Sequence, residues 1–333
     1  MIFVTGGTGL LGSHLLFQLT KDSTPIKAIF RNEEKLDLVR RLFEYYDCIN
    51  GITLFNSIKW VNCDVLDIVT LEEEMTGCDS VYHCAAIVSF ERNAFYKMMK
   101  INREGTANIV NTSLKLGFKK LCYVSSTAAI GNGENDSIIT EQTKWKQSPS
   151  TSGYSISKYS AEKEVWRGVE EGLDAVIVNP CVIIGAGDWN ESSLTMFKTV
   201  NNGLKFYTSG SNAFVDARDV ASVMNTLMIS DIKNERFLCV GENSTFKDLF
   251  DKIARKLNKK ESSIHVKPWL MGLTWRTMWI ISKLTGKKSP ITKETANSAF
   301  GITIYDSSKI KKALKIKFRT MDEMVENAVN GRL

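Results

Sequence analysis

MIFVTGGTGLLG, residues 1–12, is the stretch that decides the fold. Ile2–Thr5 has the β-branched and aromatic composition of a short strand. It runs without a break into Thr5-Gly6-Gly7-Thr8-Gly9-Leu10-Leu11-Gly12 and then an apolar helical pattern. In such a strand–turn–helix, Gly6 permits the sharp turn, Gly9 lets the backbone approach a pyrophosphate, and Gly12 allows close helix–strand packing. The helix N-terminus offers free N–H groups and a positive dipole end to phosphate oxygens. Thr8, Leu10 and Leu11 therefore join the three glycines as candidate cofactor-binding residues. A glycine triplet alone also occurs in turns that bind nothing; the flanking strand and helix give this one its meaning.

Outward from that loop, the first two-thirds of the chain alternates short apolar runs with amphipathic stretches, the pattern of repeated βα units. The expected strands are Ile2–Thr5, Ile26–Phe30, Ile58–Cys63, Ser80–Cys84, Lys120–Ser125 and Ala175–Asn179. Several are continuously apolar, as strands covered by helices on both faces must be. Helical patterns fill Leu10–Thr20, Glu33–Tyr46, Lys97–Leu116 and Tyr154–Glu171, and the polar Thr140–Gly153 reads as a surface loop. The fold class expected is α/β: a doubly wound parallel sheet with a smaller, interleaved C-terminal α/β substrate lobe. Residues 1–181 and 209–233 are assigned to the first domain and 182–208 and 234–333 to the second, since elements become shorter and more mixed after Pro180.

The end of the second strand separates the two nicotinamide cofactors: an acid there binds the ribose 2′-hydroxyl of NAD(H), an Arg the 2′-phosphate of NADP(H). Ala28-Ile29-Phe30-Arg31-Asn32 carries no acid, and Lys35 follows one turn on. Arg31 is thus a candidate phosphate clamp, because guanidinium holds phosphate bidentately; the competing reading is a surface Arg at a strand end. NADP(H) is the preferred cofactor and NAD(H) the other candidate. Asp64 and Val65 end the third strand, with Asp64 placed either to accept the adenine amino group or to cap the next helix. Ala85 and Ala86, after the fourth strand, are small enough to let a cofactor lie against the sheet.

The bulk numbers exclude several alternatives. At 43% hydrophobic and 24% charged, the 333 residues are ordinary for a globular enzyme, which argues against disorder. Part of the net charge of +6 is one run, Lys309, Lys311, Lys312, Lys315, Lys317 and Arg319. It reads as a solvated helix face followed by a strand rather than a nucleic-acid surface, for want of a reader motif or interleaved aromatics. Seven cysteines are scattered singly and three histidines lie far apart, so neither a disulfide framework nor a metal site is expected. Without a charged leader or an apolar run long enough to span a bilayer, a cytoplasmic protein is expected, with no integral membrane segment. Its expected partner is a small-molecule substrate; a homodimer is left open.

Tyr154-Ser155-Ile156-Ser157-Lys158 adds the chemistry. Tyr154 and Lys158 are four apart at the start of a helix, so both project from one face. A free Tyr titrates near ~10 and is a poor base at neutral pH, but a neighbouring ammonium and an oxidised nicotinamide both favour the phenolate. Tyr154 could then serve as general acid/base for a carbonyl or alcohol oxygen. Ser125-Ser126 end the fifth strand, where a hydroxyl would hydrogen-bond the developing oxyanion.

With these pieces stand CD at 63–64, HCAA at 83–86, NREGT at 102–106, YVSS at 123–126, NPCVIIGAGD at 179–188 and FVDARDVA at 214–221. In that order they make the chain resemble an extended short-chain dehydrogenase/reductase of Rossmann fold, of the NAD(P)-dependent epimerase/dehydratase superfamily. The resemblance covers nearly all of the chain and is nearest to the dihydroflavonol reductase and 3β-hydroxysteroid dehydrogenase branch. It implies a catalytic set of Ser126, Tyr154 and Lys158, with Ser126 chosen by its spacing before Gly131 and Thr127 as the fallback. It also implies that Lys158 reaches the cofactor ribose, that backbone after Pro180 lines the nicotinamide face, and that Asn102 bends the central helix or relays water.

The superfamily holds reductases, epimerases and dehydratases. Dehydratases place an Asp–Glu pair after the catalytic hydroxyl, where this chain has Thr127-Ala128-Ala129. Epimerases resembling the UDP-galactose type carry an Arg two residues before Phe214; here Asn212 stands there, and Arg218 reads as a fold residue. A ketone or aldehyde reductase is therefore expected, with a nucleotide-sugar epimerase as alternative and a non-catalytic cofactor-binding scaffold behind both. The Trp-rich segment Lys267–Lys288 reads as a lid helix, a pocket wall or a membrane-surface contact; the first two together suggest a hydrophobic, cyclic or aromatic carbonyl substrate.

Overall fold

The computed structural model describes residues 1–22, 24–131, 138–149, 151–270, 275, 277 and 299–333. Six strands follow the apolar runs: β1 (Ile2–Thr5), β2 (Ile26–Phe30), β3 (Lys59–Asn62), β4 (Ser80–His83), β5 (Lys120–Val124) and β6 (Ala175–Pro180). The chain then forms β7 (Val182–Ile184), β8 (Phe206–Tyr207), β9 (Ser211–Asp216), β10 (Glu235–Cys239), β11 (Glu242–Thr245) and β12 (Ile264–His265). Seven of these build one parallel sheet in the order β10-β6-β5-β4-β1-β2-β3.

The sheet is covered on both faces, and the pleat sorts its side chains accordingly. Val4, Tyr82 and Cys122 enter one apolar cluster with the helices Leu10–Thr20 and Ala217–Ile229. Phe3, Val81 and Tyr123 enter the other, beneath the helices Gly105–Lys115 and Gly153–Glu170. Strand order reverses between β1 and β4, so their C-terminal ends bound the crevice where such sheets take ligands.

A second lobe is interleaved, as expected, but two strands cross the boundary drawn from sequence. Glu235–Cys239, assigned to the smaller lobe within 234–333, is β10 of the large sheet, paired with β6. Ser211–Asp216, assigned to the larger domain within 209–233, is β9 of a three-stranded sheet between β7 and β11. Both are short mixed runs, and nothing in their own residues says which sheet will pair them. The small lobe's core gathers Ile184, Trp189, Phe197, Phe214, Ile253 and Met324.

The basic run also departs from expectation. A helix forms at Ser308–Leu314, but no strand follows it. Lys315 turns left-handed at φ 53°, Ile316 and Phe318 drop into the large core, and Arg319 pairs with Asp219. In the central helical stretch, Phe95–Met98 is α-helical, Met99–Glu104 forms a π-helix and Gly105–Lys115 returns to α. The widened turn holds Asn102. The Trp-rich segment, beyond Leu270 and apart from Trp275 and Thr277, lies outside the described residues; Trp269 is exposed. Among the described residues, no helix is long and apolar enough to cross a membrane, and no cluster of His, Cys, Asp and Glu could hold a metal ion.

Candidate functional site

The three glycines of the opening loop meet three different surroundings. Gly6 has φ 69°, and a Cβ there would stand 2.5 Å from the Ala85 nitrogen, so the loop leans directly on the residues after β4. Thr5 secures that contact, its Oγ1 accepting from the Ala85 N–H at 3.2 Å. A Cβ on Gly12 would run into the Gly6 carbonyl oxygen. On Gly9 it would meet only that oxygen, at 3.4 Å, leaving this side open to an approaching pyrophosphate. Gly9 is also the N-cap of the helix Leu10–Thr20 and has no side chain to occupy the first amides. The loop thus fits a dinucleotide phosphate.

At the adenine end, two residues read separately from sequence face each other: Arg31 Nη1 lies 3.5 Å from Asp64 Oδ2. Asp64 does not cap the following helix; it accepts from Leu66 N at 2.9 Å, and Asp67 is the N-cap. Val65 is buried against Gly105. Lys35 pairs with Glu191 of the small lobe at 2.6 Å. Such exposed pairs contribute roughly 0–1 kcal/mol, so a phosphate competes for either cation on favourable terms.

Ser152 caps the helix Gly153–Glu170 by accepting from Ser155 N at 3.0 Å, which puts Tyr154 in its first turn and Lys158 one turn below. Ser126 follows β5, and its hydroxyl accepts from Ala128 N at 3.1 Å. Burial raises the Tyr154 pKa above its ordinary value, and the nearby Ser126 hydroxyl pulls part of that back. Phe90 meets the Tyr154 ring edge-on at 6.0 Å and is itself exposed.

Lys158 sits differently from the expectation that its ammonium lowers the Tyr154 pKa. Its Nζ points into the fold, donating to Tyr123 Oη at 2.9 Å and to the Val124 carbonyl at 2.8 Å. Burial brings its pKa down to about 7, with the Glu162 and Cys84 charges working the other way. The expectation assumed a solvated cation beside the phenol. In the fold, removing both groups from water outweighs their proximity.

Glu162 and Asn179 escaped the sequence reading as site residues, whereas Asn102 was named there. Glu162, one turn beyond Lys158 and almost fully buried, accepts from Ser125 Oγ at 2.6 Å, Asn179 Nδ2 at 2.8 Å, Arg236 Nη1 at 3.1 Å and Trp166 Nε1 at 3.3 Å. Asn179 also donates to the Ser126 carbonyl at 3.0 Å, tying β6 to the backbone of Ser126. Asn102 bonds both the Ile87 N–H (2.7 Å) and carbonyl (2.9 Å) and donates to Ser157 Oγ at 3.0 Å. It therefore clamps the segment after Ile87 to the helix that carries Tyr154 and Lys158. A signal existed for these residues: His83 and Asn179 are polar interruptions in apolar strands, and Tyr154, Lys158 and Glu162 recur at helical spacing.

The family model described as NAD dependent epimerase/dehydratase family matches residues 2–239. A protein named putative dihydroflavonol 4-reductase from Synechocystis sp. is 25% identical over 338 residues, covering 98% of this chain and 93% of that protein. Anthocyanidin reductase of Arabidopsis thaliana is 27% identical over 282 residues, covering 77% and 80%. The solved structure of UDP-glucose 4-epimerase with UDP-glucose from Thermotoga maritima is similar at a TM-score of 0.75 and 18% identity, over 99% of this chain and 97% of that one.

Proposed function

We propose that this chain, which belongs to the NAD dependent epimerase/dehydratase family and is an NAD(P)-dependent oxidoreductase of the extended short-chain dehydrogenase/reductase type, reduces a hydrophobic ketone or aldehyde to its alcohol, with NADP(H) preferred. The observation that carries this reading is Tyr154 in the first turn of its helix, near the Ser126 hydroxyl, with its ring against the exposed apolar Phe90. Tyr154 donates its phenolic proton to the substrate oxygen, and Ser126 hydrogen-bonds that oxygen as charge develops on it. A raised phenol pKa suits the reductive direction, since the acid keeps its proton at neutral pH. Lys158 supplies positive charge behind the phenol and a donor to the cofactor ribose. When bound, the nicotinamide supplies the hydride.

In this reading Gly6, Thr8, Gly9, Leu10, Leu11 and Gly12 receive the pyrophosphate. Arg31 and Lys35 receive the 2′-phosphate, and Asp64 with Val65 the adenine. Ala85, Ala86 and Pro180 line the nicotinamide side. A sugar-nucleotide epimerase needs a grip on a diphosphate, and the local residues are committed elsewhere. Asn212 Oδ1 accepts from the next residue's N–H at 2.8 Å, while Arg218 is fastened to Asp216 by two hydrogen bonds, 2.9 and 2.6 Å. The test is a competition: NADPH oxidation by apolar aldehydes and ketones against turnover of UDP- and dTDP-hexoses. Turnover confined to the hexoses would replace this reading with the epimerase one, and absence of any turnover with intact cofactor binding would favour a scaffold.

A further inference from the structure

Beneath the helix Gly153–Glu170, the buried polar groups around Tyr123 have hydrogen-bond directions that follow from donor inventory. As an ammonium, Lys158 Nζ has only donors, so Tyr123 Oη accepts from it. The Tyr123 ring in turn stacks on His83, their centres 5.4 Å apart. Thr106 donates to the Asn102 carbonyl, which can only accept. With that proton committed, Thr106 must accept from His83 Nε2, 2.9 Å away. His83 therefore carries its proton on Nε2, and its Nδ1 accepts from Thr5 Oγ1 at 2.6 Å. Thr5 closes the chain by accepting from the Ala85 N–H. Thr5, His83, Thr106 and Tyr123 have no exposed surface, and burial keeps His83 neutral, with its pKa down to about 3. A buried network with every donor matched has one low-energy arrangement.

We propose that Tyr123 is a positioning residue for Lys158. Its hydroxyl, on a ring stacked against His83, holds the amine in place, and His83 is bonded onward to Thr5, where the glycine loop begins. The loop that takes the cofactor phosphates and the lysine that takes its ribose are thereby kept in register. The inference rests on the Ser126–Tyr154–Lys158 reading of the site. The Tyr123 ring adds a second hold, its centre lying 4.7 Å from the amine, so deletion of the hydroxyl alone isolates the hydrogen-bonded part.

The experiment compares Tyr123→Phe with Tyr82→Phe. Tyr82 lies on the adjacent strand, is equally buried, and spends its hydroxyl on Asn225 at 3.2 Å on the opposite face of the sheet. NADPH affinity is read by nucleotide fluorescence, with kcat and KM on the best carbonyl and a thermal melt for each variant. Y123F should weaken NADPH binding about tenfold and lower kcat by a similar factor, with the carbonyl KM little changed. Y82F should alter only the melt. Wild-type NADPH affinity and kcat in Y123F would overturn the inference. Should Y123F not fold, Thr106→Val removes the partner that fixes the His83 ring against Tyr123, without touching Lys158, and should give the same pattern at smaller size; unchanged binding and kcat there overturn it equally. A wild-type protein that binds no NADPH would overturn the cofactor reading and this inference with it.

Discussion

Glu162→Gln exchanges a single oxygen for an amide nitrogen, yet it should be among the more damaging substitutions around the site. The carboxylate serves four donors, Ser125 and Asn179 on one oxygen and Arg236 and Trp166 on the other. A glutamine has one acceptor oxygen, so whichever way it turns, its NH2 faces two donors. Ser125 can rotate its hydroxyl to accept. Asn179 cannot reverse its amide without losing the 2.8 and 3.0 Å bonds to Glu162 and the Ser126 carbonyl. Arg236 loses its only ion pair among the described residues, keeping hydrogen bonds to the Glu141 and Thr143 carbonyls. Breaking a buried ion pair by removing one partner costs about 3–5 kcal/mol. Arg236 is 22% exposed, which places the loss at the lower end. For a chain of 333 residues, at roughly 1.4 °C per kcal/mol, the melting temperature should fall by about 4 °C. The same substitution removes the negative charge that supports the Lys158 ammonium, so a pKa already at about 7 falls further. Less of the amine is then protonated at pH 7, and the alkaline limb of the activity profile moves to lower pH. The assay is a thermal melt followed by circular dichroism, with kcat/KM measured from pH 5 to 9. A melt within about 2 °C of wild type, together with an unmoved alkaline limb, would refute this account of Glu162.

The other expectations are simpler to state. Tyr154→Phe should abolish carbonyl turnover while NADPH still binds, because only the phenolic oxygen is lost; a kcat near wild type would remove Tyr154 from the mechanism. Arg31→Ala should weaken NADPH by roughly ten- to a hundredfold and leave NADH nearly unchanged, and equal wild-type affinities for the two cofactors would contradict the phosphate-clamp reading. Acid should destabilise the fold through two histidines whose burial holds them neutral, His83 down to about 3 and His14 down to about 4 against an ordinary 6.5. The unfolded chain binds their protons first, so stability is lost as pH falls below about 6.5, at about 1.4 kcal/mol per pH unit for each titrating group. Urea midpoints that stay flat from pH 6.5 to 4.5 would show that neither group is buried neutral.

Much of this was legible wherever a residue's role is set by its immediate neighbours in the chain. The turn at Gly6, the uncapped helix after Gly9 and the placement of Tyr154 and Lys158 on one helix face all follow from local backbone geometry. The same locality gave six strands of the large sheet nearly to the residue. What sequence could not say is which distant group answers a buried charge. The conclusion that Lys158 would lower the Tyr154 pKa used only their spacing, and omitted Tyr123 and Val124, which receive the Lys158 protons from a strand more than thirty residues away. Arg31 and Asp64 were likewise weighed singly, although adjacent parallel strands bring their ends together.

The partition between lobes failed for a related reason. Phe237, Leu238 and Cys239 are apolar enough for any sheet, and their place beside β6 depends on a parallel edge left free by the earlier strands. That placement has a chemical consequence, because Arg236 precedes them on the same strand and so arrives beside Glu162. The seventh strand thus does more than complete the sheet. It delivers the cation that balances the carboxylate below Lys158, which lets a buried negative charge persist where it can support the Lys158 ammonium. Had residues 235–239 belonged to the smaller lobe, Glu162 would have faced Lys158 with no Arg236 to share it. The carboxylate would then be harder to keep charged in its buried place, and Lys158, already brought down to about 7 by burial, would lose part of the charge that supports it.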